Sequence, residues 1–157
     1  MLSQLRQLSI ETDGRYATDA ELARLAHYAR SFALRAATYQ QLQVLETQIV
    51  EQVYAKIQLR SPELLFQREI DVSAKWRRDT LRVLRYSAIA MLLDDPDFLR
   101  ERLLFWMRTV MKAFEAEKSC NVTYHIMQDV IKQKLTAEQA NLVCPILELN
   151  RQILGAV

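Results

Sequence analysis

The sequence predicts an all-α fold, and three observations predict it. Glycine and proline are scarce, two and three residues in 157, too few punctuators for an all-β fold or a glycine-rich phosphate-binding one. Apolar residues recur at three- and four-residue spacing over long stretches. No stretch of comparable length alternates with period two, so no strand is expected.

The elements follow in order. A first helix is read over 2–11, and Asp13-Gly14-Arg15 marks the turn after it. Thr18-Asp19-Ala20-Glu21 is a capping box, in which the Thr18 hydroxyl accepts from the Glu21 amide while Glu21 reaches back. It starts a second helix from Ala20 to Leu59, carrying one stripe of Leu22, Leu25, Ala26, Ala29 and Ala33 and another of Leu42, Leu45, Ile49, Val53 and Ile57. Ser61-Pro62 and Asp95-Pro96 each set an N-cap residue before a proline at the first helical position. A helix from Trp76 to Leu92 lies between them. The stripe Leu99, Leu103, Trp106, Val110 and Phe114 predicts the helix after Asp95. Asn121 and Thr136 are the N-cap candidates for the last two helices, with Gln139 at capping-box spacing from Thr136. Pro145 should kink or split the final one. The sum is about seven helices in a single domain spanning 1–157.

Composition excludes several functions. A net charge of +2 is too small to argue for nucleic acid. No apolar run approaches the ~20 residues that cross a bilayer, so no membrane insertion is expected. The stretch Met1–Arg6 has no apolar core of signal-peptide type, and a cytoplasmic location is expected. Cys120 and Cys144 show no metal-ligand spacing and read as reduced thiols in or near the core. No phosphate loop, nucleophile elbow or HExxH motif is present, so the chain is not read as an enzyme. Trp106, Met107 and Met111 read as core rather than as a cofactor box.

The helix from Trp76 carries the chemistry. At ~100° per residue Leu81, Leu84, Ala88 and Met91 share a core face, while Arg78, Arg82 and Arg85 stack on the opposite side. Asp79 lies between, with Trp76 and Val83 on its apolar side and Tyr86 and Arg82 on its polar side. That layout suits a flat amphipathic ligand with two carboxylates. Trp76 and Val83 offer contact area, and the Arg78 guanidinium offers a fork for a carboxylate.

The run Trp76-Arg77-Arg78-Asp79, followed by Leu84-Arg85-Tyr86 and Asp95-Pro96, resembles the chromophore-bearing segment of phycobiliproteins of the allophycocyanin and phycocyanin type. Asp13-Gly14-Arg15-Tyr16 and Leu34-Arg35-Ala36-Ala37 resemble further segments of the same family. The resemblance implies a globin-like core with an N-terminal helical extension, and a break in the second helix near Ser31. It also implies a bilin held by Asp79 through its pyrrole N–H groups and by Arg78 through a propionate. The family's thioether-forming cysteine is here Trp76, and of the basic residues that commonly precede it only Lys75 is present. A covalent bilin is therefore not expected. The cofactor implied is a non-covalent bilin, biliverdin or phycocyanobilin, at Lys75, Trp76, Arg78, Asp79, Arg82 and Val83.

In the family, subunits pair through their N-terminal helices, and the resemblance implies that Asp13 meets Arg85 across a dimer interface, with Tyr86 beside it. The partner would be a second copy or a related phycobiliprotein-like chain, and bilin-synthesising or antenna proteins beyond that. Two other readings stand beside bilin binding. One is a pigment-free structural or assembly subunit of the phycobilisome antenna. The other is a haem-type globin sensor, which the only two histidines oppose: the resemblance puts an axial ligand on the helix over 97–116, whereas His27 lies on the second helix and His125 is read at the start of the penultimate one.

Overall fold

The computed structural model describes residues 1–156, Leu2 by its backbone alone. It is helical throughout apart from one small hairpin. Helix α1 spans Leu2–Glu11 and α2 spans Asp19–Arg60. A 3₁₀ turn at Pro62–Leu65 leads into strands β1, Phe66–Gln67, and β2, Ile70–Asp71. Helix α3 runs Ser73–Leu93. One turn of helix, α4 at Pro96–Leu99, passes through a π-turn at Arg100–Leu104 into α5, Phe105–Ala113. Helices α6, Glu117–Lys134, and α7, Ala137–Leu154, complete the chain.

Local chemistry sets most of these boundaries. Both capping boxes form: Thr18 with Glu21 opens α2, and Thr136 with Gln139 opens α7. The turn before α2 uses Gly14 at φ +73°, a conformation glycine adopts without strain. Arg15 then closes that turn with two hydrogen bonds to Glu21, at 2.9 and 3.1 Å. The Asp95 carboxylate caps α4 through the Phe98 amide at 3.2 Å and also accepts from the Ser3 amide at 2.7 Å, fastening α1 to the core.

Four expectations need correction. No break occurs near Ser31, and α2 is one helix of 42 residues. The Ser31 hydroxyl donates back to the His27 carbonyl at 2.9 Å, and the buried Arg35 guanidinium donates to Ser31 and to the Tyr28 carbonyl. Arg35 also donates to the Leu92 carbonyl at 3.0 Å, so the cation sits at the negative end of α3 and ties it to α2. Strands do occur: Phe66 pairs with Asp71 and Gln67 with Ile70 around a two-residue turn, Arg68-Glu69, with φ of 48° and 69°. Such a turn normally carries Asn or Gly, so these residues gave no signal. Asn121 does not cap a helix but lies inside α6, which places His125 in mid-helix rather than at a start. Pro145 does not split α7.

The core lies between α2, α3, α6 and α7. It takes Leu42, Ile49, Val53 and Ile57 from α2 and Leu84, Ala88 and Met91 from α3. The first stripe of α2 behaves differently. Leu22 is 50 % exposed and Phe32 46 % exposed, so among the described residues this half of the helix keeps an apolar face that is only half covered.

Candidate functional site

A cavity of about 400 Å³ opens beside the N-terminal half of α3, within the range of roughly 300–1,000 Å³ typical of small-molecule sites. Its walls come from α3, from the 3₁₀ turn and β-hairpin, and from α5 and the start of α6. The hairpin is fixed over it by a hydrogen bond from the Gln67 side chain to the Phe114 carbonyl, 2.9 Å.

Three of the residues expected to bind a ligand line this cavity: Lys75, Trp76 and Asp79. The Trp76 indole does not stand free in it. Its Nε1–H donates to the Thr123 hydroxyl on α6 at 3.1 Å, and its ring meets Tyr54 of α2 with centroids 5.9 Å apart. The indole is thus held between Tyr54 of α2 and Thr123 of α6. The Lys75 ammonium lies 4.1 Å from the centre of the Phe114 ring at the rim, a cation–π contact. Asp79 is partly exposed, at 29 %, and among the described residues its ionic neighbour is the Arg78 Nε at 3.6 Å, beyond hydrogen-bond length.

The other expected residues lie elsewhere. Arg78 is 76 % exposed and does not line the cavity. Arg82 projects over Trp106 on the outer surface, its guanidinium 5.9 Å from the ring centre. Val83 is fully buried in the core, because the buried face of α3 is wider than the four-residue stripe suggests. Of the expected interface residues, Asp13 is exposed and Tyr86 packs partly against the core. Arg85 already grips Glu46 of its own chain, with Nε 2.8 Å and Nη2 2.6 Å from the carboxylate oxygens, and this bond holds Glu46 below the usual carboxylate range.

The opposite wall supplies what one helix could not show. Cys120, Thr123 and Tyr124 of α6 line the cavity together with Thr80 of α3. Cys120 is a free thiol, and burial pushes it up to about 12, with Glu117 adding to the effect. A thiol so disinclined to ionise is a poor nucleophile. Met107 and Met111 are buried as expected but also face the cavity, while Trp106 is 46 % exposed. His27 and His125 are exposed, and neither lines the cavity. Among the described residues no His, Cys, Asp and Glu side chains cluster in a metal-binding group.

A helical core of globin-like arrangement with a helical N-terminal extension defines the class of protein. The chain belongs to the phycobilisome protein family, whose model matches residues 8–154. Among curated proteins, none matches the chain. Among the described residues no helix is long and apolar enough to cross a membrane.

Proposed function

We propose that the chain binds a bilin without a covalent bond, either as a transient holder or beside the proteins that make the pigment. The observation that carries this reading is the cavity beside Trp76: the indole at the lost anchor position is tied back to Thr123, and the space next to Asp79 stays open. The residues fit such a ligand. Trp76, Met107 and Met111 would supply apolar contact to the pyrrole rings, Asp79 would accept from their N–H groups, and Lys75 at the rim would pair with a propionate. The pigment itself supplies the absorption of visible light. Titration with biliverdin or phycocyanobilin tests the reading. A saturable shift of the bilin absorption at micromolar protein is expected, and unchanged spectra refute it.

A pigment-free role in antenna assembly is the second reading, and the half-covered apolar face of α2 favours it. Leu22 and Phe32 are half exposed there, and Tyr16 in the preceding turn is 98 % exposed. A second copy or a related chain would cover this face, bringing Asp13 towards Arg85. In that assembly Arg85 would exchange or share its bond to Glu46. Sedimentation of wild type, Leu22→Asp and Arg85→Glu tests it. A wild-type dimer that becomes monomeric in both variants is expected, and unchanged mass in both refutes this interface.

A further inference from the structure

Tyr124 is 3 % exposed and lines the cavity from α6. Its hydroxyl takes no hydrogen bond among the described residues. Nor is it sealed into packed protein, unlike the Asn150 carbonyl oxygen, which is enclosed in the core without a partner. Buried hydroxyls are normally satisfied, and one that opens into a cavity without a partner is a donor waiting for an acceptor. Burial raises the phenol well above its ordinary value, with Cys120 and Asp79 adding to the effect. It therefore remains a donor at any physiological pH. Thr80 brings a second buried hydroxyl to the same space, 5 % exposed. Asp79, on α3, is the complementary group, an acceptor that takes no hydrogen bond among the described residues, its nearest cation being the Arg78 Nε at 3.6 Å.

We propose that Tyr124 is the cavity's hydrogen-bond donor to its ligand and that, with Asp79 as the acceptor, it selects a cyclic-amide edge. Such an edge presents an N–H beside a C=O. Building on the bilin-binding reading, it is the terminal lactam of an open-chain tetrapyrrole. The pair then explains preference as well as affinity. A closed porphyrin carries the same kind of propionates but no lactam, so it would leave the buried phenol unpaired and the carboxylate to water, a loss at the phenol above all.

The test compares wild type with Tyr124→Phe, which removes one oxygen and keeps the ring. Each is titrated with biliverdin and with protoporphyrin IX, and each is melted without ligand. An idle hydroxyl contributes nothing to the free fold, so the melting temperature of the variant should not fall. Biliverdin affinity should drop roughly tenfold, the effect of one lost hydrogen bond to a buried group. Protoporphyrin binding, weaker in the wild type, should not change. Equal biliverdin affinity in the two proteins overturns the role of Tyr124 while leaving bilin binding intact. An equal loss for both ligands also overturns it, because that pattern marks packing rather than lactam recognition. Failure of the wild type to bind biliverdin at all overturns both the role and the reading beneath it.

Discussion

Replacing Thr123 by valine keeps the volume of the side chain and removes only the oxygen that accepts from Trp76. In the wild type that bond spans α3 and α6 at 3.1 Å and fixes the indole against the cavity wall. Without it the indole N–H loses its partner. The site borders a cavity that water can enter, so the cost lies at the low end for a lost hydrogen bond, about 1 kcal/mol. In a chain of this size that lowers the melting temperature by about 2–4 °C. The contact with Tyr54 stays, so the indole keeps one of its two restraints. It now samples the cavity, and the fraction of molecules with open space beside Asp79 falls. Biliverdin affinity should fall with it, by roughly two- to fivefold. Calorimetry of the free protein and an absorbance titration measure the two effects. Tryptophan emission, read in a Trp106→Phe background, reports the freed indole directly. Unchanged melting together with unchanged affinity would refute the argument that Thr123 keeps the cavity open.

Two further predictions concern the frame around the site. A Cβ on Gly155 would lie 2.7 Å from the Arg151 carbonyl oxygen and 2.8 Å from the Asn121 Cα, both backbone atoms that cannot swing aside. Gly155→Ala should therefore cost about 1–3 kcal/mol, seen as a lower melting temperature, and an unchanged melt would show that the C-terminus does not dock on α6. Stability should also fall in acid. Arg15 and then Thr18 hold Glu21 down to about 2, and Arg151 and then Gln128 hold Glu148 down to about 2, both from an ordinary value of 4.5. A carboxylate depressed in the folded state contributes fully above its unfolded value and loses that contribution as pH falls through the folded one. Melting temperature should thus decline between pH 4.5 and about 2, and Glu148→Gln should flatten the decline.

The helices were legible where local chemistry decides them. Thr18, Asp95 and Thr136 each act as the caps their neighbours implied, and the stripe from Leu42 to Ile57 is core. The β-hairpin was not legible, because its turn places Arg68 and Glu69 in a conformation usually signalled by glycine or asparagine. Periodicity read α2 as one helix, and the break near Ser31 came only from the family resemblance. The bond from Arg35 to Leu92 that ties α2 to α3 could not be read locally, because it joins residues far apart in sequence. The candidate site was half legible. Helical spacing put Trp76 beside Asp79, the family resemblance added Lys75, and all three line the cavity. The same spacing grouped Val83 with Trp76, although α2 and α7 together bury a broader sector of α3 than the stripe from Leu81 to Met91 marks. Thr123 and Tyr124 could not have been found from α3 at all. They enter the site from a helix some forty positions on, and only the packing of α6 against α2 and α7 brings them to it.

Mass spectrometry of the bilin-incubated protein tests the central claim most directly. Under native conditions the account predicts the chain plus one bilin. After denaturation it predicts the bare chain, since Trp76 offers no sulphur and the Cys120 thiol stays protonated. A native spectrum showing only the unliganded chain would contradict bilin binding, and a bilin that survives denaturation would contradict its non-covalent character.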